Sequence, residues 1–361
     1  MILKKEGVSS RLALAAAFSG LALLLIVIAV QKPRGNQPPE DSIERVGDGY
    51  LVTQRKLIMG TVFSAKVWVP DGEQGRASDE LVRMFERLEE LERRISSWLP
   101  ASDTSRINAA AGKDPVQVGA DFRELLGRSL EWARRSGGAF DVTGGPLFEL
   151  WAESRRSARL PTRDEIDACR AVTGYRLVRL EAGYASLPKP GMKLDFGAIG
   201  KGLAADRAGA HLRAKGFSNY LIDAGGDLLV NGRQGDRAWR LAVRHPRHKE
   251  YLATLEAGNF AIASSGDYEN YVVIDGRRYS HIIDLRTGEP ARRLTAATVI
   301  APCAADADAL ATALIVMEPA QGLELVDSLD AMEALLVDAD GQISTSSGLR
   351  LQNDKLMIAW D

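Results

Sequence analysis

The sequence predicts an α+β fold, a helix-rich part followed by a strand-rich part, behind one N-terminal apolar segment. Amphipathic helical periodicity is concentrated between residues 80 and 215, while short β-like runs separated by Gly, Asp and Asn dominate after residue 220. The two textures are segregated rather than strictly alternating, which argues against a doubly wound parallel sheet. No internal repeat is present. At 361 residues the chain is long enough for one large or two modest globular units.

The first element is the apolar segment. From Leu12 to Val30 every residue is apolar or small, about the length a helix needs to cross a bilayer. Lys4, Lys5 and Arg11 precede it, and the charges of Lys32 and Arg34 are diluted by Glu40 and Asp41, so the positive-inside bias leaves residues 1–11 in the cytoplasm. The body then lies outside. Ala29-Val30-Gln31 is a poor small-x-small cleavage site, which favours a retained anchor over a cleaved signal peptide. Residues 31–49 are polar and rich in Pro and Gly and read as a linker, leaving 50–361 as the globular domain.

Within that domain Val62 to Val69 alternates as a strand, and Glu80 to Ile95 spaces Leu81, Phe85, Leu88 and Ile95 as one buried helical face. Asp121 to Arg135 repeats the helical pattern. Thr162 with Glu165 forms a capping box that opens another helix, ended by Gly174, and Leu203 to Lys215 is a helix closed by Gly216. Tyr220–Val230, Trp239–Val243, Asn259–Ala263, Tyr271–Ile274 and Ala296–Ile300 read as strands. Two helices, Asp306–Met317 and Ala320–Ser328, precede a final hairpin in which Asp340-Gly341 turns Ala334–Val337 into Ile343–Ser346.

Composition excludes several functions. A net charge of -2, without a Lys/Arg block interleaved with aromatics, argues against a nucleic-acid surface. Cys169 and Cys303 show no metal or dithiol spacing; free buried thiols are the favoured reading, with one disulfide left open.

Leu194 to Asp206, LDFGAIGKGLAAD, is the densest chemical signal. Asp195 ends an apolar stretch, a Gly-containing turn follows, and Lys201-Gly202 stands at a helix start, where free N–H groups and the dipole suit a phosphate. Taken alone, Gly197 and Gly200 serve equally well as a tight turn. Asp308 and Thr312, four residues apart, share a helix face and make a workable half-shell for a hard cation such as Mg²⁺; taken alone, these residues more often make an N-cap and a solvated acidic first turn. His281, in YSHIIDLRTG, is a proton acceptor or a packed strand residue. Ser264 to Tyr268 and Asp223 to Asp227 are Gly/Asp turns where a backbone can approach a ligand.

In order along the chain, eight segments resemble the ApbE family of FAD:protein FMN transferases, over a span from about Met59 to the end. They are Met59-Gly60-Thr61, Ser96-Ser97-Trp98 leading to Ser105-x-x-Asn108, Gly138 to Thr143, the Asp195–Lys201–Gly202 core, Gly225-Gly226-Asp227, Ser265-Gly266-Asp267-Tyr268, Tyr279 to Gly288, and Asp308-x-Leu310-x-Thr312. The resemblance implies an FAD cleft between the helical and strand-rich parts, with Met59, Trp98, Phe140, Asp141 and Ile282 lining the flavin and nucleotide pocket. Asp195 and Lys201 then sit near ribose and phosphates. Mg²⁺ is held by Asp308, Thr312 and the carbonyl of Ala198, and His281 and Lys201 carry the chemistry. The family usually has tyrosine at Trp98; stacking survives this change and a phenolic hydrogen bond does not. Many relatives carry a lipobox cysteine where this chain has its apolar segment.

The implied reaction is Mg²⁺-dependent transfer of FMN from FAD to a Thr or Ser hydroxyl of an acceptor, with release of AMP. The expected acceptor is a membrane or secreted electron-transfer protein, and the expected location is the extracytoplasmic face of the inner membrane. An FAD pyrophosphatase and a non-catalytic FAD carrier are the alternatives.

Overall fold

The computed structural model describes residues 41–359. The expected membrane anchor at 12–30 lies outside the described residues, and among the described residues no helix is long and apolar enough to cross a membrane.

Nine strands form the central sheet in the order Ser42–Val46, Gly49–Ile58, Thr61–Pro70, Tyr220–Ala224, Leu228–Asn231, Phe260–Gly266, Leu294–Ala301, Glu333–Asp338 and Ile343–Thr345. Every neighbouring pair is antiparallel, as an α+β protein requires. The helix-then-strand order read from the sequence therefore holds only in part, because three N-terminal strands complete the sheet. The linker also ends earlier than expected: Ser42–Val46 pairs residue by residue with Gly49–Thr53, so the fold begins near Asp41 rather than Tyr50.

Both faces of this sheet are buried, and the period of two sorts the side chains between them. Phe63, Ala65, Val67, Ala261, Ala263, Val299 and Leu336 face a layer of helices. Leu51, Phe260, Ile262, Ile300, Leu335 and Val337 face a second sheet. That sheet runs Leu349–Gln352, Lys355–Ile358, Tyr251–Ala257, Trp239–Arg244 and supplies Trp239, Leu241, Leu255 and Leu356 to the second core. The predicted hairpin at 333–345 forms, but it is not final: Leu349–Ile358 adds another.

The helical layer contains Gln74–Ile95, Ala120–Arg135, Gly200–Ala214 and Ala304–Val316. The last is buried on nearly every side, with Leu310, Leu314 and Ile315 inaccessible. Burying three such side chains stabilises the layer by about 2 kcal/mol each. Helices Gly200–Ala214 and Ala304–Val316 cross where Gly202 meets Ala304: a Cβ at Gly202 would fall 2.3 Å from the Ala304 carbonyl oxygen. Only glycine allows that approach.

Helices Gly145–Ser157 and Arg163–Ala171 pack on the ribbon Tyr271–Ile274/Arg277–Ser280 through Leu147, Trp151, Ile166, Ile274 and Tyr279. The indole of Trp151 stacks on Tyr279 at 5.9 Å and donates to the Gly288 carbonyl. The Thr162/Glu165 capping box forms as expected, though its helix ends at Ala171 rather than at Gly174. Helices Asp103–Ala109, capped by Ser102, and Gly145–Ser157, with proline in its first turn, were not anticipated.

Candidate active site

The crossing of the two helices creates the chemistry. Neither helix is capped by the residue at its own start: Ile199 has no polar side chain, and Cys303 makes no side-chain cap. Instead each is capped by the other. Asp206 accepts hydrogen bonds from the Ala304 and Ala305 amides at 2.8 and 3.0 Å, and Asp308 accepts one from the Gly202 amide at 3.3 Å. Carboxylates at helix N-termini are favoured by the free N–H groups and the dipole.

Lys201 lies at this junction. Its Nζ is 2.7 Å from Asp227 and 3.3 Å from Asp308, and both carboxylates are buried. Burial alone would lower the Lys201 pKa, but Asp308 and Asp227 outweigh it and hold the ammonium above its usual range. Asp308 is pushed up to about 7, first by burial and then by Asp227, against the pull of Lys201 and the Gly202 amide. Two carboxylates and one ammonium leave an excess negative charge in a nearly dry place. The Thr312 hydroxyl, one turn beyond Asp308, lies 3.2 Å from that of Ser265. Among the described residues no cluster of three or more His, Cys, Asp or Glu side chains forms a ready cation cage. Magnesium does not need one when substrate phosphates fill its other positions.

The turn carrying Asp195, Ala198 and Lys201 is fixed by side chains from the predicted motifs. Asn108 bonds the Leu194 backbone through both amide atoms, at 2.7 and 2.9 Å. Asp195 accepts from the Gly197 amide and from Ser97 Oγ. Trp98 follows Ser97 with 89% of its surface exposed, its aromatic face open to solvent. Ala198 is partly buried directly before the Gly200–Ala214 helix.

Met59 heads the turn between Gly49–Ile58 and Thr61–Pro70. It adopts φ +51°, a left-handed conformation uncommon for a side-chain-bearing residue, and its amide donates to Glu92 at 3.0 Å. Thr61 packs on the Gly225 turn, where a Cβ would fall 2.4 Å from Thr61 Oγ1. The Met59–Thr61 and Gly225–Asp227 segments therefore meet at one end of the sheet.

His281 bonds the Asn270 carbonyl through both its backbone amide and Nδ1, each at 2.9 Å. A carbonyl can only accept, so Nδ1 carries the proton and Nε2 keeps a lone pair. Burial lowers the His281 pKa, and the charges of Arg155 and Lys201 lower it further, so the ring is neutral at neutral pH.

Phe140 and Asp141 turn inward. Phe140 is buried in the main core, while Asp141 accepts from the amide and hydroxyl of Thr143 and from the Tyr175 amide. Burial raises the Asp141 pKa despite these bonds. Ile282 is buried as well. The structure thus joins Lys201 and Asp308 directly, sets Thr312 one turn along the same helix beside Ser265, and gives Asp141 a visible task in the 141–175 contact. The sequence points to no role for Glu92 or Asp206, and to Ser265 and Asp227 only as turn residues; Ser265 instead lies in the strand Phe260–Gly266. An acidic residue four positions beyond Gly202, directly after the apolar Leu203–Ala205 run, was the available signal for Asp206. Both cysteines are free, as favoured, but partly rather than fully buried.

A cavity of about 540 Å³ is lined by Leu130, Arg134, Tyr175, Arg176 and Val178, and one of about 250 Å³ by residues that include Arg128, Asp206, Arg207 and Cys303. Neither is lined by Lys201, Asp308 or His281.

Buried charge of this kind, set at helix starts beside hydroxyls and a neutral imidazole, marks a protein that handles phosphate groups. The sequence profile of the ApbE family matches residues 59–336. The chain is 32% identical over 290 residues to the FAD:protein FMN transferase of Vibrio cholerae, covering 78% of this chain and 86% of that protein. It is 31% identical over 278 residues to the protein of the same name from Escherichia coli, covering 74% and 79%. Among solved structures, the flavin transferase ApbE from Vibrio cholerae superposes with a TM-score of 0.76 at 29% identity, covering 83% of this chain and 98% of that one. The ApbE protein from Thermotoga maritima superposes at 0.74 with 31% identity, covering 82% and 97%. The chain belongs to the ApbE family.

Proposed function

We propose that this chain is a Mg²⁺-dependent FAD:protein FMN transferase that passes FMN from FAD to a Thr or Ser hydroxyl of an acceptor protein and releases AMP. The observation that carries the proposal is the junction of Lys201, Asp227 and Asp308, whose surplus carboxylate fits a divalent cation. Asp308, Thr312 and the Ala198 carbonyl would hold the ion. When bound, Mg²⁺ neutralises charge on the pyrophosphate oxygens.

The remaining work falls to the protein. Lys201, fixed by two carboxylates at a helix start, offers positive charge to the substrate phosphates. Trp98 presents an aromatic face for stacking, and Met59 and Asp195 border the same region on turns held by Glu92 and Ser97. Through Nε2, His281 accepts the proton of the acceptor hydroxyl. The hydroxyl oxygen bonds to the FMN-side phosphorus, the bridging P–O bond breaks, and its electron pair leaves on AMP.

We further propose that the 12–30 apolar run anchors the enzyme in the inner membrane with its body on the extracytoplasmic side, where its acceptor is a membrane or secreted electron-transfer protein. The length of the run and its flanking charges support this. Incubation with FAD, Mg²⁺ and a candidate acceptor tests the reaction: the acceptor should gain the mass of FMN as AMP appears. Free FMN with an unlabelled acceptor would identify a pyrophosphatase, and FAD binding without AMP a carrier. Asp308→Ala should lower turnover at least about 100-fold, and a fully active variant would remove the cation assignment.

A further inference from the structure

We infer that Asp206 is a positioning residue for the cation site, acting through the helix that carries Asp308 and Thr312; the inference rests on the Mg²⁺ reading above. Asp206 has no contact with Lys201, Asp227 or Asp308 among its hydrogen bonds. Its two oxygens are taken by the Ala304 and Ala305 amides. Those amides open Ala304–Val316, whose own start at Cys303 supplies no cap. The Cys303 thiol is engaged elsewhere, donating to Asp306 at 2.9 Å and accepting from Arg128 at 3.2 Å. Asp306 also accepts from the Trp132 indole at 2.7 Å. The start of the helix is therefore held from outside, and Asp206 provides the direct bonds to its backbone.

The consequence reaches Asp308 because that residue lies one turn further on. It must reach the Gly202 amide and Lys201 across a junction with no slack, since at Gly202 even a methyl group would collide with Ala304. If the first turn frays, the Asp308 carboxylate loses its place against the Gly202 amide and Lys201, and its spacing to the Thr312 hydroxyl one turn on is loosened. Outer partners that orient metal ligands are worth about 10–100-fold in affinity, and a lost helix cap acts over the first turn.

The test uses the FAD-bound protein and Mg²⁺, measured by titration calorimetry, with thermal unfolding and steady-state kinetics alongside. Asp206→Ala should weaken Mg²⁺ binding about 10-fold, raise the Mg²⁺ concentration needed for half-maximal turnover, and leave KM for FAD at saturating Mg²⁺ within about twofold. Asp206→Asn, which keeps one acceptor oxygen for the two amides, should fall between wild type and alanine and serves if the alanine variant does not fold. A variant that melts earlier yet binds Mg²⁺ as wild type does would reduce Asp206 to a structural cap and overturn the inference alone. A wild-type protein that takes up no Mg²⁺ with FAD bound would overturn the cation reading and the inference with it.

Discussion

Replacing Lys201 by methionine removes the ammonium from between two buried carboxylates and keeps most of the side-chain volume. Breaking a buried ion pair from one side costs about 3–5 kcal/mol. The lower end applies, because the Lys201 side chain retains 28% of its exposure against 7% for Asp227 and 6% for Asp308. At about 2 °C per kcal/mol for a body of this size, a loss of about 3 kcal/mol lowers Tm by about 6 °C at pH 8.

The deficit has a definite pH dependence. Without the ammonium, Asp308 loses the pull that Lys201 exerts against its already raised pKa, so its folded value lies further above the unfolded one and the native state binds more protons there than the unfolded state. Stability is then retained in acid and lost as pH rises through the folded pKa. In wild type the raised Lys201 pKa has the same sign but acts far higher, its stabilisation being complete below the ordinary lysine value of about 10.4. The variant should therefore approach wild-type stability near pH 5 and diverge by pH 8. Mg²⁺ should stabilise it, since a cation bound only by the native state raises its stability. Transfer should fall about 100-fold or more. Differential scanning calorimetry across pH, with and without Mg²⁺, reads the stability effect. A deficit that is absent, or equal at both pH values, would refute the charge argument.

Three other changes test separate parts of the site. His281→Ala should lower kcat about 100-fold with little change in FAD affinity, and should remove from the pH–rate profile an acid limb lying below the ordinary histidine pKa of about 6.5; a loss confined to FAD binding would make His281 a pocket wall. Trp98→Ala should weaken FAD binding by about 1–3 kcal/mol while Trp98→Tyr stays near wild type, as read by flavin fluorescence, and unchanged affinity in both would remove the stacking role. Deleting Met1 to Asn36 should leave a soluble, active enzyme, because the sheet begins only at Ser42; a folded but inactive product would show that the apolar segment contributes to the site.

Local signals were the legible ones. The Thr162/Glu165 box, the helix at Asp121–Arg135 and the Asp340-Gly341 turn were readable because each is fixed by neighbours within a few residues. Other local signals were present and unread: Pro146 at the start of Gly145–Ser157, and Asn353-Asp354, both at positive φ, turning the last hairpin. The Ser42–Val46 strand was masked by the polar, Pro-rich stretch before it. At the site, motif order brought Lys201, Asp308, Thr312 and His281 into view. Nothing local could show that Asp227 pairs with Lys201, that Glu92 holds Met59, or that Ser265 faces Thr312, because these contacts join distant segments.

Because each crossed helix has its opening amides answered by a carboxylate of the other, each steadies the other's first turn. The two should protect their backbone against deuterium uptake together, as a single cooperative block. Mutational drift at one crossing partner then disturbs its counterpart as well. The junction that carries the proposed cation site accordingly forms as one unit with both helices.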